Sequence, residues 1–224
     1  MKAKFIFLTT FLLTCAIGLA QSSDIGLSFS SGVSGLFSKN DGFGTNWKLS
    51  GNAGFYLKKQ IGNKTAIGVE LLYAAINGEN TFTTEQYLID PINSNRIHVG
   101  YEQDVVKTRL GYLAIPVKYI RNFKKAKIGI GVQTMFLLHS KYEAASNSIS
   151  NYSVIQTEKG THEFNSANKI DFGPTIGLEF SLTKHLGIGF QIYHGIRIIS
   201  EENAYFDRRI KQVTIGLKYS LINK

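Results

Sequence analysis

Cysteine is almost missing from this sequence. Cys15 is the only one, and it sits inside an apolar N-terminal run. It follows Leu12-Leu13-Thr14, a spacing that a lipid-anchoring signal could use, although such a signal favours Gly, Ala or Ser where Thr14 stands. A chain that loses its first 20 residues would keep no sulfur for a disulfide or a thiolate metal site. Proline is equally sparse, with 3 residues against 22 glycines, 15 phenylalanines and 11 tyrosines, a β-type balance. Beyond the N-terminus no stretch approaches 18 consecutive apolar residues, so no helical membrane span is expected there. Acidic residues are the minority, 16 against 25 basic. The bases are scattered, without a dense run or a nucleic-acid motif, so the positive balance points away from nucleic acid and toward anionic lipid headgroups.

The first 20 residues read as a secretory signal. Lys2 and Lys4 form a basic start, Phe5 to Leu13 is apolar, and Gly18-Leu19-Ala20 places small residues before Gln21. The apolar run is too short for a span of ~20 residues. Cleavage after Ala20 leaves residues 21–224 as one domain with 23 basic and 16 acidic residues, and no cofactor is expected.

The dominant pattern after residue 23 is period-two alternation, which recurs eight times. From Lys169 to Leu182, Ile170, Phe172, Ile176, Leu178, Phe180 and Leu182 take one face, and polar or small residues take the other. Ile128, Ile130, Val132, Phe136 and Leu138 oppose Lys127, Gly129, Gly131, Gln133 and His139 in the same way. Trp47 to Leu57, Ile67 to Tyr73 and Val213 to Leu221 repeat it, and Ile25 to Val33, Val105 to Ile120 and Leu186 to Ile198 complete the set less cleanly.

A soluble sandwich also alternates. Here, however, the polar face is rich in Gly, Ser, Thr and Asn with few charges, which suits a narrow interior better than a solvated exterior. The connections alternate as well. Lys58 to Asn63, Arg121 to Lys125 and Thr183 to His185 are short, whereas Phe37 to Thr45, Asn77 to Gln103, Tyr142 to Asn168 and Ser200 to Arg208 are long and polar. Short turns at one end and long loops at the other are the outer-membrane pattern. The expected fold is therefore all-β: an eight-stranded antiparallel up-and-down transmembrane β-barrel, with both termini at the short-turn end, in the periplasm. Its interior would be filled by side chains.

The strand Tyr112-Leu113-Ala114-Ile115-Pro116-Val117-Lys118-Tyr119 resembles the motif strand of the PorT-like outer-membrane β-barrel family of Bacteroidetes. The Ala20-Gln21 junction and the closing strand Ile215 to Ser220 are similar to the same group. That resemblance implies an outer-membrane location, and most members have no assigned activity. Members often carry a glutamate where Ala114 stands, so no role of that carboxylate transfers. The last strand also ends in Tyr219, Leu221 and three further residues rather than in a terminal aromatic. Pro116 falls on the polar face, where its missing N–H predicts a β-bulge.

Candidate site residues follow from parity. Lys48, Glu70, Lys118, Lys127, Asp171, Glu179, Arg197 and Lys218 share the inward face, and in a narrow barrel they would pair as a polar plug. Enzymatic chemistry finds little support. The histidines are His98, His139, His162, His185 and His194, with no Gly-x-Ser-x-Gly, no metal-spaced pair and no phosphate-binding glycine loop. His194 alone, with outward parity near the far end, could serve a lipid-modifying enzyme. The favoured role is structural or partner-binding, with outer-membrane lipid around the wall and a protein or glycan partner at the loops 77–103 and 142–168. The alternatives are a lipid-modifying enzyme and a narrow pore for small solutes or ions.

Overall fold

The computed structural model describes residues 23–38, 44–89, 96–150, 154–162, 169–197 and 208–223. The expected signal segment and most of the expected loop Ser200 to Arg208 lie outside them. Nine strands follow one another: β1 (Ser23–Ser38), β2 (Gly44–Gly62), β3 (Thr65–Ile89), β4 (Arg96–Phe123), β5 (Ala126–Ser150), β6 (Val154–His162), β7 (Ile170–Ser181), β8 (Leu186–His194) and β9 (Arg208–Asn223). All pairings are antiparallel, and β1 pairs with both β2 and β9, which closes the sheet on itself. Eight strands make the ring. β5 hands its partnership from β6, along Tyr142 to Ile149, to β7, along Ala126 to Phe136. Thus β6 and β7 are the outer and inner parts of one wall position, and β6 pairs with β5 alone among the described residues.

Alternation builds this ring because successive side chains point to opposite faces. On β3, Leu72, Ala74 and Ile76 are buried while Ile67, Val69, Leu71 and Tyr73 are exposed. On β5, Ile130 is 61% exposed and the intervening Gln133 only 1%. An exterior this apolar could not be stable against water and suits a hydrocarbon solvent, in which backbone groups need the closed hydrogen-bond ladder.

The connections Asn63–Lys64, Lys124–Lys125 and residues 182–185 mark one end, the turn end, where β1 begins and β9 finishes. At the other, the hairpin end, the segments expected as long loops are mostly strand. β3 and β4 remain paired from Thr65–Arg121 out to Ile89–Arg96, and β5 continues to Ser150. Thr81 to Ile89 shows no apolar alternation to read, although its Thr, Phe and Tyr residues favour strand.

Pro116 produces no bulge. The β3–β4 ladder omits Ile115 and Pro116 and resumes in unchanged register, and the β4–β5 ladder pairs Pro116 with Gln133. A proline can sit in the wall when the ladder on one side is interrupted and the register is kept. The register shifts fall elsewhere, between Trp47 and Gly51 on β2 and between Gly111 and Tyr112 on β4, opposite Leu138.

Candidate functional site

The barrel interior is layered. Nearest the turn end lies an ionic cluster contributed by seven strands. Glu70 on β3 accepts hydrogen bonds from Lys118 on β4 at 2.9 Å and Lys218 on β9 at 2.8 Å. Glu179 on β7 accepts from Lys58 on β2 at 2.8 Å and Lys127 on β5 at 2.9 Å, and Lys218 lies 3.7 Å away. Lys118 also donates to Gln191 at 2.6 Å, which in turn donates to Gln133 at 2.9 Å. Asp24 receives the hydroxyls of Tyr56 at 3.1 Å and Ser220 at 2.6 Å and lies 3.8 Å from Lys58. Shared in this way, each buried charge has opposite-sign neighbours, without which burial would be prohibitive.

The space left inside is small. A cavity of about 40 Å³ lies among Glu70, Lys118, Gln191, Thr214 and Lys218, room for roughly three water molecules. A wider pocket of about 230 Å³ opens at the turn end beside Asp24, Lys127 and His185.

Above the ionic cluster the interior turns apolar. Leu36, Leu72, Ala74, Ile76, Leu110, Tyr112, Ala114, Met135, Tyr193 and Ile210 pack as one buried layer. Asp171 sits at its edge, fully buried. It accepts from the Tyr193 hydroxyl at 2.8 Å and from the backbone N–H groups of Phe172 at 2.9 Å and Arg197 at 3.1 Å. Three donors satisfy this carboxylate without a lysine.

Of the residues expected inside, Glu70, Lys118, Lys127, Glu179 and Lys218 come together, and Asp171 occupies its separate niche. Lys48 is placed elsewhere: it pairs with Glu79 at 2.9 Å toward the hairpin end, with its side chain 41% exposed. Arg197 follows the end of β8 and is exposed, and its backbone N–H donates to Asp171. Sequence parity missed Lys58, which had been assigned to a turn. Extending the inward series Ser50, Asn52, Gly54, Tyr56 by one step would have reached it. The apolar layer was missed too, because its residues belong to the face read as polar.

Elsewhere the chemistry is sparse. His139 lies on the outer wall with its Nε2 3.4 Å from the Tyr73 hydroxyl, and His185 Nδ1 is 3.2 Å from the Ser220 carbonyl. His194 faces Lys211 across the β8–β9 pair. The side chains of His98 and His162 lie outside the described residues. Among the described residues no three His, Cys, Asp or Glu side chains gather as metal ligands.

A closed strand ring with a lipid-compatible exterior and a neutralised ionic interior defines a transmembrane β-barrel. The chain belongs to the outer membrane protein beta-barrel domain family, whose model matches residues 19–201, and it is an outer-membrane protein. Comparison with curated proteins gives no match. Among solved structures it is similar to Ail, the attachment invasion locus protein of Yersinia pestis, at 10% identity, covering 89% of this chain and 97% of that one with a TM-score of 0.41. Neisserial surface protein A is similar at 10% identity, with coverage of 88% and 97% and a TM-score of 0.42. OprG from Pseudomonas aeruginosa is similar at 10% identity, with coverage of 89% and 95% and a TM-score of 0.35.

Proposed function

We propose that this protein is a sealed, non-enzymatic barrel whose working surface is the sheet of β3, β4, β5 and β6 projecting from its hairpin end. The observation that carries this reading is the filled interior: the ionic cluster and the apolar layer stand in series, and the cavity within the ionic cluster is only about 40 Å³. An apolar constriction opposes ion passage by dewetting. With a sealed interior, the distinctive surface is the four-stranded extension. In this reading the turn end faces the periplasm and the hairpin end faces outward, as outer-membrane barrels place their short turns and long connections. The outward sheet then meets a protein or glycan partner.

The strand Tyr112 to Tyr119 supports a finer placement among PorT-like barrels, and residues 1–20 read as the cleaved export signal. Planar-bilayer recording should give no stepwise current. Crosslinking from cysteines introduced at Glu85 or Tyr101, both on the projecting hairpin, should capture a partner on intact cells, whereas a cysteine at Lys64 in a turn should not. Stepwise conductance, or labelling of Lys64→Cys from outside the cell, would overturn the reading.

A further inference from the structure

On the outer wall, Arg109 of β4 and Lys141 of β5 are direct cross-strand partners, and both are exposed. Their outward direction follows from the buried alternates Thr108 and Leu110. Like charges placed opposite one another in a sheet repel, so this pair is unfavourable unless an anion lies between. One local carboxylate meets Arg109, which leaves Lys141 as the uncompensated member of the pair. Glu143 is engaged by Arg109 at 3.2 Å and is also the cross-strand partner of Lys107, while Glu79 is held by Lys48 at 2.9 Å. Lys141 has no carboxylate partner among the described residues.

Toward the turn end and one strand over, on β1, β2, β3 and β9, the wall drops into a groove of about 570 Å³, with the His139 ring over Gly111 between it and the cation pair. Its floor is Gly51, Ala53 and Ala75, and Phe29, Tyr73 and Leu217 stand at its rims. Ala75 pairs with Gly111, which lies on the same face of β4 as Arg109; two residues along a strand span about 7 Å. The partner row from Gly111 through Ala75, Gly51 and Ser31 reaches Ile215, itself paired with Phe190 midway along β8. Because strands in a barrel are staggered, this row slopes from the cation pair into the apolar wall. A paired cation at the top and a small-residue trough below match a ligand with an anionic head and an acyl tail.

We propose that the outer wall carries a binding site for a phosphate-bearing lipid of the leaflet at the hairpin end. Arg109 and Lys141 share the phosphate, and an acyl chain lies in the groove between Phe29 and Tyr73. Arginine suits a phosphate through its planar fork, and lysine supplies a second charge. The groove selects a lipid over free phosphate, since an exposed cation pair alone holds an ion only weakly in water. Only the choice of leaflet rests on the orientation proposed above. The binding itself does not.

The test uses the full chain folded in detergent micelles, with bound lipid counted by native mass spectrometry. The probes are diphosphoryl lipid A, its dephosphorylated counterpart and inorganic phosphate. Diphosphoryl lipid A should bind at least tenfold more tightly than the dephosphorylated form, and R109Q/K141Q should abolish that preference. A75F should weaken both lipids by filling the trough, with the folded state confirmed by heat-modifiable migration. Equal binding of the two lipids to the wild type, or full displacement by equimolar inorganic phosphate, would sink the proposal, as would unchanged lipid binding by both variants. No partner and no membrane orientation enters this measurement, so its failure is distinct from failure of the sealed-barrel reading.

Discussion

Ser34 Oγ donates a hydrogen bond to the Asn77 carbonyl at 2.7 Å and accepts one from the Asn77 N–H at 2.9 Å. One hydroxyl thus occupies both backbone groups of a residue two strands away. The cause lies between them. Trp47 pairs with Gly78 and Gly51 with Ala75, so three residues of β2 oppose two of β3 and the ladder is interrupted at Asn77. Ser34→Ala should orphan both groups and cost about 1–3 kcal/mol. Urea unfolding in detergent, followed by tyrosine and tryptophan fluorescence, measures this; an unchanged midpoint would show that the bulge is satisfied otherwise.

The ionic cluster should respond unequally to its members. Among the described residues, Glu70 is the only carboxylate within ion-pair reach of Lys118 and one of two near Lys218, and all three are buried or nearly so. Glu70→Ala should therefore destabilise the barrel by about 3–5 kcal/mol, the cost of leaving buried charge uncompensated. Lys127 is 28% exposed and shares Glu179 with Lys58, so Lys127→Ala should cost distinctly less. Equal unfolding midpoints for the two variants would contradict the assignment.

Two buried tyrosines should part company when their hydroxyls are removed. Tyr112 Oη has no hydrogen-bond partner among the described residues, whereas Tyr193 donates to Asp171 at 2.8 Å. Tyr112→Phe should leave stability unchanged or raise it, because an unsatisfied buried hydroxyl is a liability. Tyr193→Phe should lower it by about 1–3 kcal/mol by stripping a donor from a buried carboxylate. Thermal loss of the heat-modifiable band gives both values on one gel series.

The turn at Lys124–Lys125 holds a correctable strain. Lys124 has a φ of 39°, and its neighbours Phe123 and Ala126 are paired across the hairpin. The first position of such a tight turn favours glycine when φ is positive. Lys124→Gly should stabilise the barrel by up to about 1 kcal/mol, with faster refolding into detergent as a second readout. A loss of stability would mean that the ammonium group contributes more than the backbone relief.

The ring was legible because Ile128 to Phe136 and Ile170 to Phe180 alternate without interruption, and two walls of opposite polarity leave a strand few other solutions. The outer hairpins were not, since Thr81 to Ile89 carries no polarity contrast. Parity likewise gathered Glu70, Lys118, Lys127, Glu179 and Lys218, all of which lie on regularly paired strand. It misplaced Lys48, next to the β2 register slip, and Arg197, beyond the end of β8, because a single irregularity resets which way a side chain points. The apolar layer escaped for a different reason. Leu72, Leu110 and Met135 occupy a face whose other residues are small or charged, and sequence does not state at what height each strand contributes them.

The handover on β5 separates two kinds of history within one chain. β7 completes the ring below, and β6 hangs from β5 above without another strand neighbour among the described residues. Changes of length or composition between Ser150 and His162 therefore leave untouched the ladder on which insertion into the bilayer depends. The hairpin can therefore change in length without unzipping the ring beneath it.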